Sequence, residues 1–179
     1  MFDFANMTAP IIVGQFIGFA AMGASICSFQ AKNRAGILVF QFLSSLCWLT
    51  HFFLIGSMSG AVLNGVSVVR NAVYTFKKDY TGWQKYGVPA IIALGYGAAF
   101  IITFESAISI FPLLACLLAT VALYMKDERV IRALSLLVSA LWIVFDAAHG
   151  SIAGVAAEAF TICSILLALI RYRRSYVKK

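Results

Sequence analysis

The chain has 179 residues, 62% of them hydrophobic and only 12% charged, where soluble domains are roughly a quarter charged. That composition excludes a soluble globular domain and leaves an integral membrane protein, with room for about seven spans near 20 residues each and almost nothing over for a soluble part. The formal charge of +7 is uninformative as a total, but once the charges are placed along the chain it becomes a topology signal.

Seven apolar runs follow in order: 10–29, 36–55, 59–77, 88–104, 107–125, 130–149 and 151–171. Helices are expected throughout, because lipid leaves no water to satisfy an open strand edge and the alternation of a membrane barrel is absent. The first run follows MFDFANMTAP, which holds Asp3 and no base, so it lacks the positive segment of a cleavable signal and is expected to stay as a span. The fourth and fifth runs are divided at Glu105. Pro112, in the fifth, is the proline placed well inside a run and is expected to kink it. Cys27, Cys47, Cys116 and Cys163 lie inside apolar runs without metal-ligand spacing and read as small packing residues.

The basic residues fall at alternate connections. Lys32 and Arg34 follow the first run, Lys77, Lys78 and Lys85 the third, Lys126, Arg129 and Arg132 the fifth, and Arg171, Arg173, Arg174, Lys178 and Lys179 the seventh. Seven spans put all of them on one side, which the positive-inside rule makes cytoplasmic, with the N-terminus outside. Six spans would spoil that sorting. The tail RYRRSYVKK reads as a topology anchor beside anionic lipid, not as a nucleic-acid site.

The most informative stretch is Leu46 to Val66, LCWLTHFFLIGSMSGAVLNGV, whose pattern returns from Ala140 to Phe160 as ALWIVFDAAHGSIAGVAAEAF. Trp48 precedes Gly56, and Asn64 follows it, by the same spacing that Trp142 and Glu158 keep from Gly150. With a helical rise of about 1.5 Å per residue, these four residues share a level roughly 12 Å from the turn, close to the middle of a hydrocarbon layer about 30 Å thick. Sliding the sequence on itself by 94 residues aligns runs one to three with five to seven, matching Lys32 with Lys126, Ile37 with Ile131, Ser45 with Ser139 and Gly60 with Gly154. The expected fold is therefore an all-α membrane protein of seven transmembrane helices, two parallel three-helix bundles joined by a linker helix. Residues 1–78 form the first repeat, 79–105 the linker with the fourth helix, and 106–179 the second repeat with its basic tail. Parallel repeats of this kind are one of the known transporter plans.

The runs SFQAKNR from Ser28, FQFLSSLCW ending at Trp48, and HFFLIGSMSGAVLN from His51 to Asn64 resemble the YgjV family of bacterial inner-membrane proteins. More distantly, the 3+1+3 plan resembles the SWEET, SemiSWEET and PnuC transporters, the PQ-loop-like fold. That resemblance implies a central cavity lined by a Trp on the second helix of a repeat and an Asn on the third, roles that fall on Trp48, Asn64 and Trp142. Two departures stand out. Gln30 is preceded by Phe29 where that fold commonly carries a Pro-Gln pair, and Glu158 stands where a second Asn is expected.

An acid near mid-membrane costs at least about 2.5–3.5 kcal/mol on insertion scales, so Glu158 should face a wet cavity or be protonated. It is expected to bind a cationic or polyhydroxyl solute or to exchange a proton, the alternative being a hydrogen bond between helices. Asp146, one turn beyond Trp142, and His51 are expected near the outer mouth or gate, with His51 at the interface. Arg70, Asn71 and Gln30 are candidates for an inner gate. Snorkelling of Arg70 toward the basic surface, or a structural pair, is the competing reading, for Asn71 as for Arg70. The glycines Gly56, Gly60, Gly150 and Gly154 suit a turn and close packing, Gly14 and Gly18 packing alone. No nucleophile motif, metal cluster or phosphate-binding loop is evident, so the expectation is a non-enzymatic transporter or facilitator in the bacterial inner membrane. It would need no cofactor, and its partners would be a small polar solute and the bilayer, with self-association left open. The alternative is a non-transporting scaffold or regulator.

Overall fold

The structure, a computed structural model, describes residues 8–76, 79–148 and 152–173, with side chains of the last segment from residue 154. Asp3, Lys77, Lys78, His149, Gly150, Ser151, Arg174, Lys178 and Lys179 lie outside the described residues. Seven helices follow one another: α1 (Ala9–Gln30), α2 (Arg34–Leu54), α3 (Met58–Phe76), α4 (Gln84–Ile102), α5 (Ile110–Tyr124), α6 (Glu128–Ala148) and α7 (Ile152–Arg171). Among the described residues there is no strand, and each expected run is a helix. The division at Glu105 is real: α4 ends at Ile102, and a single 3-10 turn, Ala107–Ser109, leads into α5.

Local chemistry sets these ends. Pro10 sits in the first turn of α1, where its missing N–H is no loss. Asn33 caps α2 by accepting a 2.8 Å hydrogen bond from the Gly36 amide. Gly56 turns the chain between α2 and α3 at φ +83°, a region that glycine enters without steric cost. The prolines differ from expectation. Pro112 is the third residue of α5, inside the first turn, whereas Pro89 lies within α4 because that helix begins at Gln84, earlier than the apolar run.

Among the described residues six helices are long and apolar enough to cross a membrane; α3 is not among them. Its 19 residues reach about 28 Å at a helical rise, but Asn64, Ser67, Arg70 and Asn71 dilute its apolar character. Those four side chains are all buried within the protein. The polar face of α3 turns inward, and its outer face exposes apolar residues such as Val69 and Phe76.

Helix neighbours form a closed ring. α1 packs on α2, α2 on α3, α3 on α5, α5 on α6, α6 on α7, and α7 back on α1. α4 packs against α3 and α5. Gly14 and Gly18 let α2 approach α1, since a Cβ at Gly18 would stand 2.9 Å from the His51 ring. Detail recurs at the ends of α1 and α5. The residues closing α1 and α5, Ala31 and Met125, have φ/ψ of −64°/138° and −62°/147°, and their amides donate to Ser28 and Ala122 respectively. Residue 31 plus 94 is 125, and 28 plus 94 is 122.

Candidate functional site

A cavity of about 90 Å³ lies inside the ring, bordered by every helix except α4. That is room for several waters or a small solute. Its wall holds Trp48, Asn64, Trp142 and Glu158 together, with Asp146 and Arg70. Twenty residues border it, and eighteen of them form nine pairs 94 residues apart. α1 and α5 contribute Ser25 with Ala119 and Phe29 with Leu123. From α2 and α6 come Gln41 with Ser135, Ser44 with Val138, Ser45 with Ser139, Trp48 with Trp142, and Phe52 with Asp146. Asn64 with Glu158 and Ser67 with Thr161 complete the set on α3 and α7. The two without a counterpart are Arg70 and Cys116, and the Arg70 guanidinium donates to the Cys116 carbonyl at 3.3 Å.

The paired positions differ in chemistry. On the α2–α3 side, Ser44 donates to the Ala21 carbonyl at 3.1 Å, Ser45 to Gln41 at 2.8 Å and Asn64 to Gly60 at 2.9 Å. Ser67 donates to Leu63 and shares a 2.7 Å hydrogen bond with the Tyr96 hydroxyl, which α4 inserts between α3 and α5. On the α6–α7 side, Ser135 and Thr161 border the cavity, and their hydroxyls make no hydrogen bond among the described residues. The Glu158 carboxyl has the Ser139 hydroxyl as its hydrogen-bonding neighbour. Asp146 is 3% exposed, with its Oδ1 buried and without a partner.

Two glycines seat the second pair of counterparts. A Cβ at Gly60 would lie 2.7 Å from the Phe52 ring, and one at Gly154 would lie 2.4 Å from the Asp146 carboxyl carbon. Only a residue without a side chain allows α2 and α6 to bring these groups against α3 and α7. Phe52 then stacks on Trp142 across the ring, centroids 6.1 Å apart, and leans on Trp48 at 5.7 Å.

Arg70 is 3% exposed and does not snorkel. Its Nε donates to the Asn71 side-chain oxygen at 2.9 Å, and the guanidinium lies 5.8 Å from the Tyr96 ring centroid. Asn71 is off the cavity; its amide donates to the Gln41 carbonyl and to Ser45, tying α3 to α2. His51 is likewise off the cavity. It is fully buried between α2 and α1, its Nδ1 2.8 Å from the Gly14 carbonyl. A carbonyl only accepts, so Nδ1 carries the proton. His51 stands in the last turn of α2, and Gly14 and Gly18 open a slot for its ring on the face of α1.

The ends of the helices that carry the basic residues are joined by polar contacts of α1 and α2 with α5, α6 and α7. The last carbonyls of a helix have no partner within it, and neither α1 nor α5 has a basic residue in its last turn. Arg132 of α6, fully buried, donates to the Phe29 and Ala31 carbonyls of α1. Arg34 of α2 donates to the Leu123 and Met125 carbonyls of α5, both at 2.8 Å. These acceptors are again 94 residues apart, and Phe29 and Leu123 themselves border the cavity. Gln30 adds a third join: its amide donates to Ser164 of α7 at 2.7 and 2.9 Å, and it accepts from Arg171 and Tyr172.

Sequence reasoning treated Arg34 and Arg132 as topology markers and missed this role. No sequence signal marks a backbone carbonyl as an acceptor, and the two arginines themselves are not at matching positions, since residue 34 plus 94 is Glu128. The fourth-helix tyrosine Tyr96 was also missed.

A family described as Imp-YgjV, bacterial inner membrane protein, matches residues 12–176. No curated protein and no solved structure matches the chain.

Proposed function

The chain belongs to the YgjV family of bacterial inner membrane proteins, and from that premise we propose that it is a transporter or facilitator for a small polar solute. The observation that carries this reading is the cavity itself, walled by nine residue pairs of constant separation. Two trios of helices that contribute the same positions to one space fit a 3+1+3 architecture, parallel bundles facing each other across a substrate site with α4 as linker. Alternating access then consists of rocking one bundle against the other. In this reading the basic ends are closed: the joins made by Arg34, Arg132 and Gln30 hold them, and each opening cycle must release them. The positive-inside rule places those ends and the C-terminus in the cytoplasm and the N-terminus outside. Trp48, Asn64, Trp142 and Glu158 contact the solute. The bilayer is the other partner, and the reading needs neither an enzymatic step nor a cofactor nor nucleic acid.

A scaffold without transport would be expected to have a collapsed interior, with Glu158 tied to Arg70 or to another helix. Glu158 has Ser139 of α6 beside it, but the described residues hold no Arg70–Glu158 pair and the interior is open, which supports transport. The test is solute flux into proteoliposomes with purified protein, screened over sugars, amino acids, amines and vitamins. Uptake that is abolished by Glu158→Gln and Trp142→Ala, with expression intact, is the expected result. Unchanged flux in both variants would overturn the site.

A further inference from the structure

We propose that the cavity takes an amphoteric solute, one that carries a protonated amine and, on a separate atom, a carboxylate or similar acceptor. The inference rests on the transporter reading and names its substrate class. Arginine stays charged at every physiological pH, yet the neighbours of Arg70 are all neutral: an amide oxygen, the Cys116 carbonyl and the Tyr96 ring. The acids stand on the other trio, Glu158 on α7 and Asp146 on α6, and no ion pair joins either to Arg70 among the described residues. A buried charge without a counter-charge is costly, so a solute gains most by supplying the missing partner to each wall.

The charges are also separated along the cavity. Glu158 corresponds to Asn64, and Arg70 lies six residues further along α3, about 9 Å at a helical rise. A neutral sugar answers neither charge, and a simple cation or anion answers one. A solute with an amine at one end and an acceptor at the other answers both. The breaks in the pairing carry the same message: Asn64 becomes Glu158, Phe52 becomes Asp146, and Arg70 has no basic counterpart, because residue 70 plus 94 is Ser164.

The test uses the full chain in nanodiscs and three unbranched amino acids of increasing length: glycine, 4-aminobutyrate and 6-aminohexanoate. Each is titrated against the amine and the acid of the same length, with erythritol as the neutral probe. One amino acid should bind at least about tenfold more tightly than its matched amine, acid and erythritol, the size of one good charge-assisted contact. Glu158→Gln should reduce its affinity to that of the acid, and Arg70→Gln to that of the amine. Because Arg70 is buried, Arg70→Lys accompanies it and should keep the preference. Equal binding of erythritol or of a simple amine, or no binding of any amino acid, overturns the proposal. Flux of a neutral sugar that persists in the Glu158 and Arg70 variants overturns it while leaving the transporter reading intact. Absence of flux for every solute class overturns that reading itself.

Discussion

Across the cavity the same positions are used in opposite ways. On the α2–α3 wall, Ser44, Ser45, Asn64 and Ser67 turn their donors back to carbonyls of their own or the adjacent helix. On the α6–α7 wall, Ser135, Thr161, Glu158 and Asp146 keep polar capacity facing the interior or without a partner. A hydrogen bond already made to a neighbouring helix adds to packing and has little to offer a solute, whereas an unmet acceptor in a low-dielectric space is strongly attractive to a donor. One wall therefore turns its hydroxyls and Asn64 to packing, with Arg70 the charged side chain that α3 adds, and the other leaves polar groups turned to the interior.

The sharpest way to break that comparison is to exchange the acid. Glu158→Gln should reduce flux about a hundredfold, near the 2–3 kcal/mol of a charge-assisted contact. Asn64→Ala, on the internally bonded wall, should cost only a few-fold, and equal losses in radiotracer uptake would show the walls to be equivalent. Next come the arginines. Arg132→Ala strips several buried acceptors of their donor and should lower stability by about 2–3 kcal/mol in thermal unfolding. Arg34→Ala, which is half-buried, should lower it less. Both should raise the reactivity of a cysteine placed at Phe29 toward a water-soluble maleimide.

A smaller effect separates the glycines. Gly60→Ala and Gly154→Ala should each destabilise by about 1–3 kcal/mol through overpacking, but only Gly154→Ala should also impair binding, because it displaces Asp146 and not a phenyl ring. The smallest change is expected at Lys126, which pairs with Asp79 at 2.8 Å with both side chains largely exposed. Lys126→Ala should alter stability by less than about 0.5 kcal/mol.

The sequence already contained the helices, the division at Glu105 and the Trp48, Asn64, Trp142, Glu158 quartet, because hydropathy and spacing encode which residues share a face and a depth. His51, Asn71 and Arg70 were legible as polar residues but not in their orientation. Whether a polar side chain in a span points at a cavity, a carbonyl or the headgroups depends on slots opened elsewhere, as Gly14 and Gly18 do for His51. The arginine joins were hidden more deeply, since their acceptors are backbone atoms over a hundred residues away in the case of Arg132.

The inward-turned polarity of α3 also bears on biogenesis. Among the described residues this helix falls short of the apolar character that the other six reach, and it is expected to enter as the second arm of the hairpin bent at Gly56, together with α2. Its Arg70 meets the Cys116 carbonyl only after α5 has been made. A chain truncated after Ile102 should consequently leave α3 unstably inserted and open to degradation, and restoring α5 in trans should rescue it.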